Sequence, residues 1–273
     1  MQNFDTVTKI GTRPGKTLSI IAGIHGNEVC GLKAFEEILP NLLIESGTVH
    51  FIYGNPEAIL KNTRQTEMNL NRVFRPEDTL LEAEKNSYER KRALEIMKYL
   101  DQSEALLDIH SSGTEKSVPF IICEPTSFPV AEKLPFEIKS CGWDNIHAGS
   151  TDNYMNVNGK IGICIECGHH TDDTAIEKAK ESILDFLKIF GAISGDLPTT
   201  QKQKTIKIRG TYRTKTNFSP VEEYRDFQKI SRSELVGFDG DNKITFDSDG
   251  YMIFCRHRDS SFEEAFIIGE DAF

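Results

Sequence analysis

Three apolar runs in this chain each end in a residue that can bind a metal or move a proton: Ile20-Ile-Ala-Gly-Ile-His25, Leu106-Leu-Asp-Ile-His110 and Ile163-Cys-Ile-Glu166. A further carboxylate, Glu28, follows His25 by three positions. Two imidazoles and one carboxylate are the protein ligands of a catalytic zinc site, which keeps its fourth position for water. His25, Glu28 and His110 supply that set, and Glu166 is left over to act as a base. Taken singly, a histidine at a strand end is commonly a hydrogen-bonded structural residue, and a glutamate early in a helix commonly complements the helix dipole. The joint arrangement carries the reading, because all four groups fall on one edge of the predicted sheet.

That edge follows from the order of elements. The runs at 18–24, 48–53, 105–109, 119–123 and 161–165 read as strands buried on both faces. Helical patterns lie between them. One starts near Glu28, with Asn27 as N-cap, and ends at Pro40. Another covers 81–100, with Leu94, Met97 and Leu100 at helical spacing and its many charges on a solvated face; a third runs from Asp172 or Asp173 to Phe190, with Ile176, Ala179, Ile183, Phe186 and Leu187 on one side. The fold class expected is α/β, a mostly parallel or mixed sheet flanked by helices. In such sheets ligands bind beyond the C-terminal strand ends, and Glu28 in the first turn of its helix can reach the same point as His25. Past Gly195-Asp-Leu-Pro198 the texture changes to period-two strands at 205–210, 243–246 and 251–255, separated by Gly/Asp turns. The expected division is a catalytic domain over 1–196 and a small all-β cap over 197–273.

Composition bounds the function classes. The chain has 273 residues and a formal charge of −10, which argues against the clustered basic surface of a nucleic-acid binder. No stretch approaches the roughly 20 apolar residues of a membrane helix. The first five residues lack a basic segment followed by an apolar one, so the chain reads as cytoplasmic. Six scattered cysteines read as reduced thiols, and the Cys164/Cys167 pair as buried hydrophobes with no second pair at zinc-ribbon spacing. Gly15-Lys16-Thr17 has neither the glycine spacing nor the strand-then-loop order of a phosphate-binding loop.

His25-Gly-Asn-Glu28, the stretch from Gly54-Asn-Pro-Glu-Ala58 through Asn62-Thr-Arg64 to Asn69-Leu-Asn-Arg72-Val-Phe74, Leu107-Asp-Ile-His110 and Ile165-Glu-Cys-Gly168 occur in an order and spacing that resembles the succinylglutamate desuccinylase/aspartoacylase family. That family consists of zinc-dependent amide hydrolases related to the zinc carboxypeptidases. The resemblance spans 18–170 and implies one zinc ion per chain on His25, Glu28 and His110, and hydrolysis by a zinc-bound water with Glu166 as general base and acid. It further implies that Arg64 polarises the scissile carbonyl and that Asn71 and Arg72 hold a substrate carboxylate. The implied substrate is an N-acyl amino acid or similar small carboxylate. Two departures bear on specificity. Asn69 stands where the family commonly has Asp, and 153–158 lacks the arginine that clamps the amino acid in aspartoacylase-like members; Lys160 is one candidate to replace it. Tyr212, Tyr224 and Arg225 are candidate cap residues by polarity and position, and His169 and His170 lie just beyond the base. A carboxypeptidase acting on a peptide C-terminus and a non-catalytic carboxylate- or zinc-binding relative are the alternatives. Oligomeric state stays open.

Overall fold

Apolar runs with no polar face can be stable only in a sheet covered on both sides, and that is what they form. The computed structural model describes residues 6–200 and 202–272; the expectation drawn from residues 1–5 lies outside them. The first part of the chain gives β1 (Val7–Ile10), β2 (Arg13–Ala22), α1 (Cys30–Ile38), β3 (Ser46–Tyr53), α2 (Pro56–Lys61), α3 (Glu82–Asn86), α4 (Tyr88–Leu100) and β4 (Ala105–Ser112). There follow β5 (Phe120–Cys123), α5 (Phe128–Ala131), β6 (Ile138–Cys141), α6 (Thr151–Val157), β7 (Ile161–His169) and α7 (Thr174–Ile189). The last part is β8 (Lys204–Arg213), β9 (Phe218–Pro220), β10 (Gln228–Ile230), β11 (Leu235–Asp239), β12 (Asn242–Thr245), β13 (Gly250–Ile253) and β14 (Glu264–Asp271).

Eleven strands make one mixed sheet in the order β1-β3-β2-β4-β7-β5-β6-β8-β14-β13-β10, and β12-β11-β9 make a small antiparallel sheet. The central strands β3, β2, β4 and β7 are parallel. Their side chains alternate. Leu107 and Ile109 of β4, with Ile163 and Ile165 of β7, pack into a core completed by Phe35 of α1 and by Ile183 and Phe186 of α7. The opposite face of β4 begins with Leu106, packed with Ala93, Ile96 and Leu100 of α4. Continuing at period two, that face carries Asp108 and His110, paired in register with Cys164 and Glu166 of β7. One residue of slippage in β4 would turn Asp108 and His110 into the apolar core on the other side.

Three expectations change in detail. Helix α1 starts at Cys30 after Val29, with no side-chain cap, so Asn27 is not its cap. Glu28 precedes the helix, in a turn closed by its own N–H on the His25 carbonyl at 3.1 Å. Gly26 in that turn lies against the 58–59 backbone, where a Cβ would stand 2.1 Å from the Ala58 carbonyl carbon; only glycine fits this approach. The helix over 81–100 is broken at Ser87, whose hydroxyl accepts the Arg90 N–H and starts α4 afresh. Its buried face is Glu89, Arg90, Ala93, Ile96 and Leu100, while Leu94 is exposed. Two charges expected on a solvated face are thus buried, because each has backbone partners described below.

Past residue 197 the chain continues the same sheet. β8 lies parallel to β6, and β14 is antiparallel to β8. Phe120, Ile122 and Trp143 share one core with Ile206, Ile208, Tyr251, Ile253 and Ile267. The small sheet covers a second cluster around Phe218, Val236, Phe246 and Phe266. No helix among the described residues is long and apolar enough to cross a membrane.

Candidate active site

The register of β4 and β7 sets His110 beside Glu166, and the turn after β2 brings His25 and Glu28 to the same place. Glu28 lies between the two imidazoles: its Oε1 is 2.7 Å from His25 Nδ1, and its Oε2 is 2.7 Å from His110 Nδ1. One donor atom from each of the three lies within 4.8 Å of the others, and all three residues are buried. The outer ring nitrogens are held from behind. His110 Nε2 lies 3.0 Å from Asp108 Oδ2 as an ion-pair contact, and His25 Nε2 donates to Asn69 Oδ1 at 3.1 Å. Each ring turns its Nδ1 inward toward the shared Glu28 carboxylate, the nitrogen that would bind a metal once its proton is displaced. Asp108 also accepts from the Thr151 hydroxyl, and Asn69 from the Asn71 N–H.

Charges follow from this packing. Burial keeps the His25 imidazole neutral, with its pKa lowered to about 4 against the pull of Glu28. Burial works on Glu28 in the opposite direction but is outweighed by His25 and His110, which hold it well below the usual carboxylate range. Burial would also lower His110, yet Asp108 and Glu28 raise it well above an ordinary histidine. Glu166 is pushed up to about 8, first by burial and then by the Glu28 charge. Its Oε2 is buried with no hydrogen-bond partner among the described residues. The donor set, two inward-facing imidazole nitrogens and one carboxylate in a buried cluster, fits a divalent zinc-type cation.

These groups open into a cavity of about 210 Å³ whose walls include Arg64, Asn71, Arg72, Ser111, Trp143, His147, Asp152, Glu166, Arg256, Arg258 and Glu264. Arg64 Nη1 reaches Glu28 Oε1 at 3.0 Å. The Asn71 side-chain Oδ1 accepts the Thr151 N–H at 3.0 Å, which leaves its NH2 group for a ligand. Burial lowers Arg72 to about 10. The loop carrying these three residues is bolted to α4. Buried Glu89 accepts the N–H groups of Thr66 (2.7 Å), Glu67 (3.2 and 3.3 Å) and Met68 (3.2 Å), together with Asn55 Nδ2 at 3.1 Å. Arg90 donates to the carbonyls of Val73 and Arg75 at 2.6 and 3.1 Å.

The seven residues named from the sequence for metal, base and substrate roles all come to this one cavity. The secondary candidates do not. Lys160 Nζ is spent on the carbonyls of Leu100 and Asp101. Tyr212 bonds Asp239 and stacks on Phe266, Tyr224 is core, and Arg225 is exposed. His169 bonds Thr171, and His170 bonds Ser111 from outside the cavity. Cys164 and Cys167 point to opposite faces of β7, one toward Asp108 and the other into the core with Cys30, so they cannot share a metal. Glu89, Arg256, Arg258 and Glu264 were not singled out. Arg256-His-Arg258 alternates at period two just past a strand, which is a signal, though a weak one, for two arginines on one face.

A sequence model described as the succinylglutamate desuccinylase/aspartoacylase catalytic domain matches residues 14–190. The chain belongs to this family. Among curated relatives, it is 40% identical over 73 residues to the succinylglutamate desuccinylase of Pseudomonas aeruginosa, covering 25% of this chain and 22% of the relative. It is 30% identical over 122 residues to the aspartoacylase of Danio rerio, covering 39% of this chain and 37% of that one. The matched segments thus span well under half the length of these relatives. Among solved structures, this family member superposes on the succinylglutamate desuccinylase of Vibrio cholerae with a TM-score of 0.79 at 17% identity, over 98% of this chain and 85% of the other. The corresponding figures for a succinylglutamate desuccinylase/aspartoacylase from Rhodobacter sphaeroides are 0.77, 18%, 98% and 89%. The likeness to the solved structures extends through the C-terminal strands and is one of fold.

Proposed function

We propose that this family member is a zinc-dependent hydrolase of the amide bond in an N-acyl amino acid or a similar small carboxylate. The observation that carries the reading is the buried Glu166 oxygen, without a hydrogen-bond partner among the described residues, in register with His110 and opening into the same cavity as the His25–Glu28–His110 group. Zinc on those three residues would polarise the scissile carbonyl and acidify a water beside it. Glu166 takes the proton of the attacking water and delivers it to the departing amine nitrogen, so amide and water become carboxylate and amine. Burial and the Glu28 charge raise the Glu166 carboxyl toward the neutral range, and a cation on the His25–Glu28–His110 group would draw it back toward the ionised form that accepts the water's proton. Arg64 lies against Glu28 at the rim of the group and adds positive charge where the oxyanion develops. Arg72 and the Asn71 NH2 hold the substrate carboxylate. Residues 1–196 carry the chemistry, and 197–273 act as a cap. The cavity of about 210 Å³ falls below the roughly 300–1,000 Å³ of drug-sized sites, which favours an acylated amino acid over a peptide.

Glu166→Gln tests this directly. The variant is expected to retain one zinc per chain by metal analysis while losing turnover of N-acyl amino acids by several orders of magnitude, since it removes a proton carrier and not a ligand. Wild-type-like turnover would reassign the base; wild-type protein that neither binds zinc nor hydrolyses any N-acyl amino acid would end the reading, and preference for a tripeptide would favour the carboxypeptidase.

A further inference from the structure

The groups behind the two imidazoles belong to one path of polar contacts, and the middle of that path faces the cavity. His25 Nε2 reaches Asn69 Oδ1 at 3.1 Å, and the same oxygen accepts the Asn71 N–H at 2.9 Å. Asn71 Oδ1 in turn accepts the Thr151 N–H at 3.0 Å. The Thr151 hydroxyl donates to Asp108 Oδ2, the atom that lies 3.0 Å from His110 Nε2. From His25 to His110 the path therefore runs through Asn69, Asn71, Thr151 and Asp108, and Asn71 lines the cavity.

Thr151 is its narrowest point. The residue is fully buried. Asp108 Oδ1 has no hydrogen-bond partner among the described residues, so the Thr151 hydroxyl makes the one hydrogen bond they give to the Asp108 side chain. The turn that carries Thr151 is itself fixed against the substrate loop. Gly149, at φ +84°, comes so close to Arg72 that a Cβ would stand 2.5 Å from the Arg72 carbonyl oxygen, and the Gly149 carbonyl accepts the Phe74 N–H at 3.0 Å. Met155 of α6 shares one core with Leu70, Val73 and Phe74 of that loop and with Leu106 of β4. Close packing of this kind leaves no slack, and a displacement at 69–74 is passed to Asp108 through Thr151.

We propose that Thr151 is a positioning residue that couples the subsite at Asn71 to the metal group, so that a carboxylate on Asn71 and a divalent cation on His25, Glu28 and His110 each bind more tightly when the other is present. The assignment rests on the hydrolase reading of those two subsites. A carboxylate on the Asn71 NH2 group fixes Asn71, and with it the acceptor behind His25 and the hydroxyl behind Asp108. A cation that orders both imidazoles acts on the same path from its ends. Whichever partner binds second finds the path already ordered, and the gain is equal in both directions.

The test measures zinc affinity in competition with a chromogenic chelator, with and without saturating L-glutamate as the carboxylate probe. In the wild type L-glutamate is expected to tighten zinc binding at least about fivefold. Thr151→Val keeps the N–H to Asn71 and loses the hydroxyl; the factor should fall below about twofold, and Thr151→Ser should restore it. By reciprocity zinc should tighten L-glutamate by the same factor, read from the fluorescence of Trp143, the only tryptophan of the chain and part of the cavity wall. If Thr151 were merely structural, Thr151→Val would weaken zinc equally with and without L-glutamate, and coupling through direct contact of the carboxylate with the ion would survive the substitution. An unchanged factor in Thr151→Val therefore overturns the proposal, as does a wild type without coupling or one that does not bind L-glutamate. Asn69→Ala cuts the path at its other end and should lower the factor likewise, so the proposal can still be refuted if Thr151→Val does not fold. Coupling that depends on Thr151 in a protein that cleaves no N-acyl amino acid leaves the proposal standing and ends the hydrolase reading; cleavage without coupling does the reverse.

Discussion

Replacing Glu89 by Gln changes one atom in a helix that touches none of the proposed catalytic groups, yet it should damage both stability and rate. The carboxylate receives the N–H groups of Thr66 and Glu67 on Oε1, with Asn55 Nδ2, and those of Glu67 and Met68 on Oε2. An amide offers one acceptor oxygen. If that oxygen takes the Oε1 position, the NH2 group is driven against the N–H groups of Glu67 and Met68, and Met68 loses its acceptor. An orphaned donor costs about 1–3 kcal/mol, and each retained bond falls from roughly 1.5–3 to 0.5–1.5 kcal/mol as it changes from charged to neutral. Relief from burying a charge offsets part of this. The net expected loss is about 2–3 kcal/mol. Because the affected backbone lies just after Arg64 and leads to Asn71 and Arg72, a shift of about 1 Å there should cost on the order of 100-fold in turnover. Urea unfolding measures the first effect, and steady-state kinetics on zinc-loaded protein the second. Zinc stoichiometry should remain one, since His25, Glu28 and His110 are untouched. A variant within 0.5 kcal/mol of wild type and of unchanged turnover would refute the idea that Glu89 positions this loop.

Three further outcomes are expected. Asp108→Asn keeps an acceptor for His110 but loses the carboxylate behind it, so zinc affinity in competition with a chromogenic chelator should fall about 10–100-fold; a change below about twofold would remove Asp108 from the metal site. Glu264 is held down to about 2 because His147, Arg72 and Arg213 outweigh the burial that would raise it. Its contribution to stability is therefore complete above the ordinary glutamate pKa of about 4.3 and lost as pH falls through about 2. At most this is worth about 3 kcal/mol, and the acid limb of the urea-unfolding profile should flatten in Glu264→Gln; an identical limb in the variant would contradict the assignment. Gly26→Ala places a Cβ against the Ala58 carbonyl, which should cost about 1–3 kcal/mol and displace His25, seen as sub-stoichiometric zinc in dialysed protein. Full zinc occupancy and unchanged stability would show that the turn can shift.

Much of the site was legible because its residues sit at ends or period-two positions of apolar strands. Asp108 and His110 had to share a face wherever the strand went, and the β4–β7 register turns that into contact with Glu166. Local pattern failed where tertiary partners override it. Glu89 and Arg90 look like solvated helix charges, and only the carbonyls and N–H groups of a loop some twenty residues earlier make them buried. Glu28 looks like a first-turn residue, but the close approach of Gly26 to residue 58 delays the helix to Cys30. Only polarity and position mark Tyr212, Tyr224 and Arg225 as cap candidates. Tyr212 turned out to serve Asp239, whereas the cavity wall comes from Arg256 and Glu264, whose placement depends on β14 entering the sheet beside β8. Non-local pairing of that kind leaves no mark in a single strand's composition.

The insertion of β14 between β8 and β13 also bears on how the site is made in time. Residues 25–166 provide the metal group and Glu166, but Arg256 and Glu264 emerge from the ribosome almost a hundred residues later. At about 5–20 residues per second the interval is on the order of 5–20 s. For about the first half of it β6 has no β8 beside it, and throughout it the nascent chain can present the proposed metal ligands in an open groove without the wall that Arg256 and Glu264 complete. Under the proposed zinc-hydrolase reading, loading of the ion can thus precede the formation of the substrate pocket, and selectivity is acquired only when the sheet receives β14.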